Sequence, residues 1–506
     1  MSTLMALSPL WVVALGLLLL MLSDALSSGA GKGATEVQEP SADGNASGEL
    51  AVGTAVVMFA GACFAFAMGL SGSEIQKSVS ISQLALDSFS YYAMSFLCVL
   101  GGLVALLAGS YLPEHRIYRT EFFLLLGWST LGAMALVCAG DLLTLFVALE
   151  TMSLGTYCLV GLRRTSRSLE AALKYFLLGS FATALLLFGM ALLYGATGHT
   201  DLLGIGSSIA TLNDKSTTVP WLMGGAALVV AGLLFKIAAV PFHAWTPDAY
   251  EGAPTPATAY MAAVVKTAAF GVLLRVLLVA FPDPRIASWG SGWSGALAVV
   301  AVLTMSVANV VAARQSSVKR MLAYSSIAHA GNALIGVVAM SKSSEAQASV
   351  MLYVVAYALS TLGAFGSLIW AGSRGNEATS YADLAGVGRR NPPVALALTL
   401  FVLSLAGIPP TAGFFGKLGV FRAAVDANMM PLVVIGLINS VIAAYYYLKV
   451  VVVMYMQEPD KGMATATPMR APMLGTALFI AAILVLVLGM FPETMLNVLA
   501  RTSLAG

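Results

Sequence analysis

The chain has 506 residues, of which 59% are hydrophobic and only 10% charged, with a formal net charge of +2 and a mean hydropathy of +0.87. A soluble domain carries about 25% charged residues, so this composition excludes a disordered chain, a basic nucleic-acid binder and an ordinary water-soluble enzyme. The solvent that suits it is lipid.

A helix crosses a bilayer with about 20 mainly apolar residues. Fourteen such runs follow one another: 8–25, 50–70, 84–109, 118–138, 141–162, 168–195, 219–240, 255–281, 293–313, 318–341, 346–372, 392–408, 431–456 and 470–490. No Lys or Arg precedes Lys32, so the first run lacks the positive flank of a signal peptide and reads as a span. The polar stretch Ser27–Gly48, rich in Gly, Ser and Glu, reads as a flexible loop. The seventh run meets Pro241 and resumes to Glu251; the twelfth meets Pro409-Pro410 and resumes through Thr411–Ala424. Proline removes a backbone hydrogen bond and clashes with the preceding turn. Backbone interrupted at membrane depth persists only inside protein or beside a wet cavity.

The two breaks fall five spans apart. A repeat of five crossings is odd in number, so its two copies are inverted, and inverted repeats with interrupted helices mark secondary transporters. The expected fold is therefore an all-α polytopic membrane protein, one transmembrane domain over 1–506. Helices 1–3 (8–109) precede a first five-helix repeat (helices 4–8, 118–281), a second (helices 9–13, 293–456) and a C-terminal helix (470–490).

Fourteen loop Lys and Arg residues follow odd-numbered spans and six follow even-numbered ones. The positive-inside rule then sets the odd loops in the cytoplasm and both termini outside. Six basic residues remain within spans: Lys174, Lys236, Lys266, Arg275, Lys417 and Lys449. Each costs about 2.5–3.5 kcal/mol at the bilayer centre on the mild insertion scale, so several together are expected to be paired or used. Glu150 lies about nine residues into the fifth span, roughly 14 Å deep, and Lys236 stands shortly before the helix-7 break. Desolvation favours the neutral form of a lysine and a nearby carboxylate restores the charge, so a Glu–Lys pair with a movable third charge is a proton switch. Glu150, Lys236, Lys266 and Lys417 have long apolar flanks and read as functional. Lys174 reads as functional or as partly submerged, whereas Arg275 and Lys449 read as snorkelling residues near span ends. His243 and His329 are either satisfied core histidines or members of a relay.

Two features carry no chemistry. Cys63, Cys98, Cys138 and Cys158 are far apart without a C-x-x-C pair and read as buried free thiols, not cluster or zinc ligands. Gly290-Ser-Gly-Trp-Ser-Gly295 matches G-x-G-x-x-G but links two spans, without the βαβ unit that nucleotide binding needs.

The run Phe235-Lys-Ile-Ala-Ala-Val-Pro-Phe-His-Ala-Trp-Thr-Pro-Asp-Ala-Tyr-Glu-Gly-Ala-Pro254 resembles the antiporter-like membrane subunits of respiratory complex I, the NADH–quinone oxidoreductase. Its second half, from Asp248, resembles the N-type branch. Asp141–Glu150, Ala171–Phe176, Val318–Gly331 and Pro409–Lys417 carry the same likeness, which extends over helices 3–14. Lys417 departs from the M-type branch, where glutamate is usual, and no long lateral C-terminal helix of the L type is expected. The resemblance implies a Glu150–Lys236 pair modulated by Lys174, a central relay at Lys266 and a terminal channel residue at Lys417, with His243 and His329 on the central hydrophilic axis. It implies a translocase subunit without a redox centre of its own, with NADH, FMN, iron–sulfur clusters and quinone on partner subunits. The partners it implies are the other membrane subunits of complex I, the lipid bilayer and protons, with no nucleic acid. The location it implies is the bacterial inner membrane. Related possibilities at this point are a cation/proton antiporter subunit, a ferredoxin-dependent photosynthetic relative, and a membrane scaffold.

Overall fold

A computed structural model describes residues 3–29, 44–70, 83–117, 119–211, 218–290, 292–343, 345–372, 375–458, 471–502 and 504. Most of the polar stretch expected as a loop (30–43) lies outside the described residues.

The described chain is helical. Thirteen helices are long and apolar enough to cross a membrane, and a shorter apolar helix, Pro392–Ala406, opens the interrupted twelfth run. In chain order the helices are 1 (Ser8–Gly29), 2 (Gly44–Leu70), 3 (Ser88–Glu114), 4 (Arg119–Val137), 5 (Leu142–Gly161) and 6 (Ser166–Thr197). Next come 7a (Val219–Lys236), 7b (Trp245–Gly252), 8 (Thr255–Ala280), 9 (Trp293–Ala312), 10 (Val318–Ala339) and 11 (Ala346–Ala371). The last are 12a (Pro392–Ala406), 12b (Ala412–Asp426), 13 (Met430–Met456) and 14 (Pro472–Met490). Polar residues at the apolar runs' edges start several of them. Asp87, Asp141, Thr165 and Ser317 each accept a bond from a first-turn N–H of helices 3, 5, 6 and 10, which satisfies a donor with no partner inside the helix. Hydropathy alone passes over several short helices, among them Leu202–Thr211 and Pro492–Ala500.

Burial sorts the helices into a centre and a rim. The most apolar stretch of helix 11 is wholly buried, that of helix 10 is 94% buried and that of helix 8 is 89%, against 17% for helix 1. Helices 4 and 5, and 6 and 7a, pack as neighbours; helices 9 and 10, and 11 and 12, repeat those pairings.

The two breaks end their first halves alike. In helix 7a the N–H groups of Ala238 and Ala239 donate to the carbonyls of Phe235 and Leu234; in helix 12a those of Gly407 and Ile408 donate to Ser404 and Leu403. This is the Schellman ending, whose turn residue has positive φ. Gly407 takes it at φ +84°, while Ala238 takes it at φ +61°, where a Cβ costs about 1–2 kcal/mol. Beyond the first break, Val240 N–H donates to Thr304 Oγ1 of helix 9 at 2.9 Å, so a backbone donor freed by the interruption is satisfied inside protein.

Two expectations are corrected. Arg275 does not snorkel: it is buried, and its guanidinium binds the Asp87 carboxylate at 2.8 and 3.0 Å and Ser90 Oγ at 2.7 Å. Asp87, which also caps helix 3, supplies the anion that makes the interior favourable. Of the four cysteines, Cys98 and Cys138 are buried, but Cys63 and Cys158 are exposed on helix faces that an apolar solvent covers without cost.

Candidate functional site

Helix 5 brings Glu150, Ser153 and Tyr157 to one face by their spacing of three and four residues. The Glu150 carboxylate accepts from Thr183 Oγ1 of helix 6 at 2.8 Å. Lys236, in the last turn of helix 7a, is buried and donates to Tyr157 O–H oxygen at 3.2 Å. Among the described residues no ion pair joins Glu150 to Lys236; the tyrosine two turns on from Glu150 is the lysine's direct partner. The ammonium also lies over the Tyr157 and Tyr175 rings, 5.0 and 5.3 Å from their centroids. Gly179 of helix 6 makes room for this arrangement, since a Cβ there would overlap the Tyr157 hydroxyl.

From that sheath the polar row continues through aromatic and hydroxyl groups. Trp245 of helix 7b stacks on Tyr175 at 4.2 Å and donates Nε1–H to Phe235 O at 3.1 Å across the break. Tyr250, further along helix 7b, lies 3.5 Å from Ser326 Oγ of helix 10. Lys266 Nζ donates to Ser326 Oγ at 2.5 Å and Ser326 O at 2.7 Å. Lys266 follows directly on a π-helical turn, Met261–Val265, and a second, Val276–Ala280, follows Arg275; such turns shift a helix's register and recur at functional sites. One turn along helix 10, the His329 ring lies 4.9 Å from the Tyr357 ring, which also faces Lys266 Nζ at 5.5 Å. His329 Nδ1 is 2.6 Å from Tyr353 O–H and Nε2 is 3.0 Å from Tyr447 O–H, which in turn bonds Ser325. Tyr353 packs on the helix-12b backbone at Gly416, beside Lys417. Lys417 Nζ donates to Ala406 O at 2.8 Å, a carbonyl left open where helix 12a ends.

Thus Lys266 and His329 are brought into one cluster, with Lys236 at one end and Lys417 at the other. His243 stands in the helix-7 break with Nδ1 buried and without a close hydrogen bond among the described residues. Lys174 lies apart. It is partly exposed and pairs with Glu170 at 2.7 Å and Asp248 at 3.1 Å, and among the described residues no bond ties it to Glu150 or Lys236.

Besides the Arg275–Asp87 pair, sequence reasoning missed the tyrosines and a second buried ion pair. Tyr157 was within reach, being seven residues from Glu150 on the same helical face. Lys319, counted with the loops, is wholly buried in the first turn of helix 10 and pairs with Glu377 at 3.1 Å. Ser317 as a cap would have signalled that the helix begins before it; Glu377, in a connection between helices, carries no local signal. Among the described residues no three His, Cys, Asp or Glu side chains gather in a metal-holding group.

Comparison with known proteins gives this arrangement its family. Residues 139–443 match the family described as "NADH:quinone oxidoreductase/Mrp antiporter, TM". NADH-quinone oxidoreductase subunit N 1 of Sorangium cellulosum is 57% identical over 99% of this chain and 98% of its own. The chain belongs to the NADH-quinone oxidoreductase subunit N family. A chain of respiratory complex I from Thermus thermophilus, solved with bound aureothin, superposes with a TM-score of 0.78 at 30% identity, covering 98% of this chain and all of that one. A chain of the Mrp complex from Dietzia shares the fold, with a TM-score of 0.80 at 20% identity over 100% and 97% of the two chains.

Proposed function

We propose that the row from Glu150 through Lys236, Lys266 and His329 to Lys417 carries protons across the membrane. The chain is a multi-pass inner-membrane subunit of the proton-translocating NADH–quinone oxidoreductase, and its partners are the other membrane subunits of that complex. NADH, FMN, iron–sulfur clusters and quinone belong, in this reading, to those partners, which carry out the electron transfer whose free energy drives the row.

The observation that carries the reading is the chemistry around the buried lysines. Tyr157, Ser326 and the Ala406 carbonyl are the groups to which their ammonium ions donate, and all three are neutral. A buried ammonium without an adjacent anion is balanced between charged and neutral forms, so a modest change in nearby charge moves its proton. Tyrosine, serine and histidine both donate and accept, which is what a chain handing protons along requires. Tyr175 Oη, Thr246 Oγ1, His243 Nδ1, Asn332 Oδ1 and Tyr357 Oη are further buried polar atoms that make no close hydrogen bond among the described residues, and groups of this kind bind ordered water. In this mechanism a charge change in the neighbouring subunit acts on Glu150, which alters the field at Lys236. Lys236 then releases or takes a proton toward Lys266 and Lys417. Lys174 tunes the first step from the rim, and His243 serves the helix-7 break. The recurrence of the helix pairings and of the Schellman break supports inverted five-helix repeats over 118–281 and 293–456.

Lys236→Ala tests the reading in the complex reconstituted into proteoliposomes. Loss of coupled quinone-reductase turnover with the complex still assembled is expected; parental turnover and proton gradient would refute it.

A further inference from the structure

Helices 7b, 8 and 10 meet twice. Their first meeting is in the proton row, where Tyr250 of helix 7b and Lys266 of helix 8 both reach Ser326 of helix 10. Their second is at the Ala253–Pro254 joint between helices 7b and 8, where an ion cluster lies outside the row. The Glu377 carboxylate, on the connection after helix 11, accepts from Thr255 Oγ1 at 2.6 Å and Thr255 N–H at 3.3 Å. It also accepts from Lys319 Nζ at 3.1 Å, Arg163 Nη1 at 3.3 Å and the Tyr111 hydroxyl. Lys319 Nζ makes a further bond of 2.8 Å to Ala253 O.

Each charge faces the helix end that favours it. Glu377 lies at the start of helix 8, where unpaired N–H groups favour an anion, and Lys319 lies at the end of helix 7b, where open carbonyls favour a cation. In its own helix Lys319 occupies the first turn, which disfavours a cation, so the two neighbouring helices account for its position. Lys319 and Ser326 are seven residues apart on one face of helix 10, so the grip on the joint and the bond to Lys266 share a side of the same rigid element.

We propose that Lys319 and Glu377 are positioning residues for proton transfer: as an ion pair they fix the joint of helices 7b and 8 against helix 10 and thereby set Lys266 against Ser326. The inference rests on the proton-carrying reading of the row. Burial by itself would raise the Glu377 carboxyl, but the Lys319 and Arg163 charges and the Thr255 and Tyr111 hydroxyls hold it well below the usual carboxylate range. Its contribution is therefore present above the ordinary carboxylate value and lost only in strong acid. It stays ionised through turnover, as an anchor does and a proton carrier does not.

The test uses the whole complex in proteoliposomes carrying Lys319→Met with Glu377→Gln, beside each single variant. Removing one partner strands a buried charge, whereas replacing both leaves only Arg163, which reaches solvent, without its carboxylate, so the single variants should assemble poorly and the double variant should assemble like the parent. In the double variant we expect coupled turnover to fall about tenfold, as a small misplacement of a transfer group does, with the KM for quinone unchanged. Parental coupled turnover in the assembled double variant would overturn the positioning role and leave the pair a purely structural one. If the double variant fails to assemble, Thr255→Val decides, since it deletes one bond to Glu377 and keeps both ions. Coupled turnover lowered about threefold supports the role and parental turnover overturns it. Lys266→Met run alongside separates the two claims. Should it too pump like the parent, the proton row itself falls, whereas lost pumping there with parental pumping in the double variant removes only the positioning role.

Discussion

Two groups of cations in this protein have opposite surroundings. On the axis, Lys236, Lys266 and Lys417 are buried and donate to a phenol, a serine and a carbonyl. Around the helix-7b end, cations face carboxylates: Lys174 meets Glu170 and Asp248, Arg167 meets Glu251, Arg320 meets Asp248 and Glu251, and Lys319 and Arg163 meet Glu377. Depth alone does not distinguish them, since Lys319 is as buried as Lys266. The partner does. A carboxylate holds its cation charged and fixes helices together, while neutral acceptors leave the proton free to move. The same residue type serves as fastener in one region and as carrier in the other.

Giving an axis lysine a rim-type partner should break this division most severely. Ser326→Asp would set an anion against Lys266 and hold its proton there. Coupled turnover in proteoliposomes is expected to fall about a hundredfold, the scale of a lost proton-transfer group, with the complex assembled. Parental turnover would mean that the neutral surroundings of Lys266 are incidental.

A smaller effect should follow from Tyr157→Phe, which keeps the aromatic sheath and deletes the hydroxyl that accepts from Lys236. A bond to a charged group contributes about 1.5–3 kcal/mol, and we expect about a tenfold loss of coupled turnover with an altered pH profile. An unchanged profile would show that this hydroxyl is not in the transfer path.

At the rim, Lys174→Gln should matter least. Its pairs with Glu170 and Asp248 are half exposed, and water screens exposed pairs strongly. Coupled turnover is expected to drop no more than about threefold. A loss as large as that of Lys236→Ala would move Lys174 from the rim group to the axis group.

Much of the fold was legible because lipid imposes a length on each apolar run. The span at 346–372 became Ala346–Ala371, and Pro241 and Pro409-Pro410 marked both interruptions. The lysines of the row were legible for the same reason, since charge in an apolar run stands out. Pairings over long separations were not. Arg275 turns inward because Asp87 awaits it 188 residues away, and Lys319 is buried because Glu377 lies against it. Glu150 and Lys236 were expected as a pair, and the contact geometry adds Tyr157 beside Lys236, a hydroxyl hidden among many apolar aromatics.

Lys266→Arg tests the central claim most directly. Arginine keeps the positive charge and can reach Ser326, but it does not give up its proton in proteins. With the complex assembled in proteoliposomes, the account predicts that coupled NADH–quinone turnover and proton uptake fall together by at least about tenfold. Parental rates of both would contradict it, because charge alone, and not a transferable proton, would then suffice at the centre of the row.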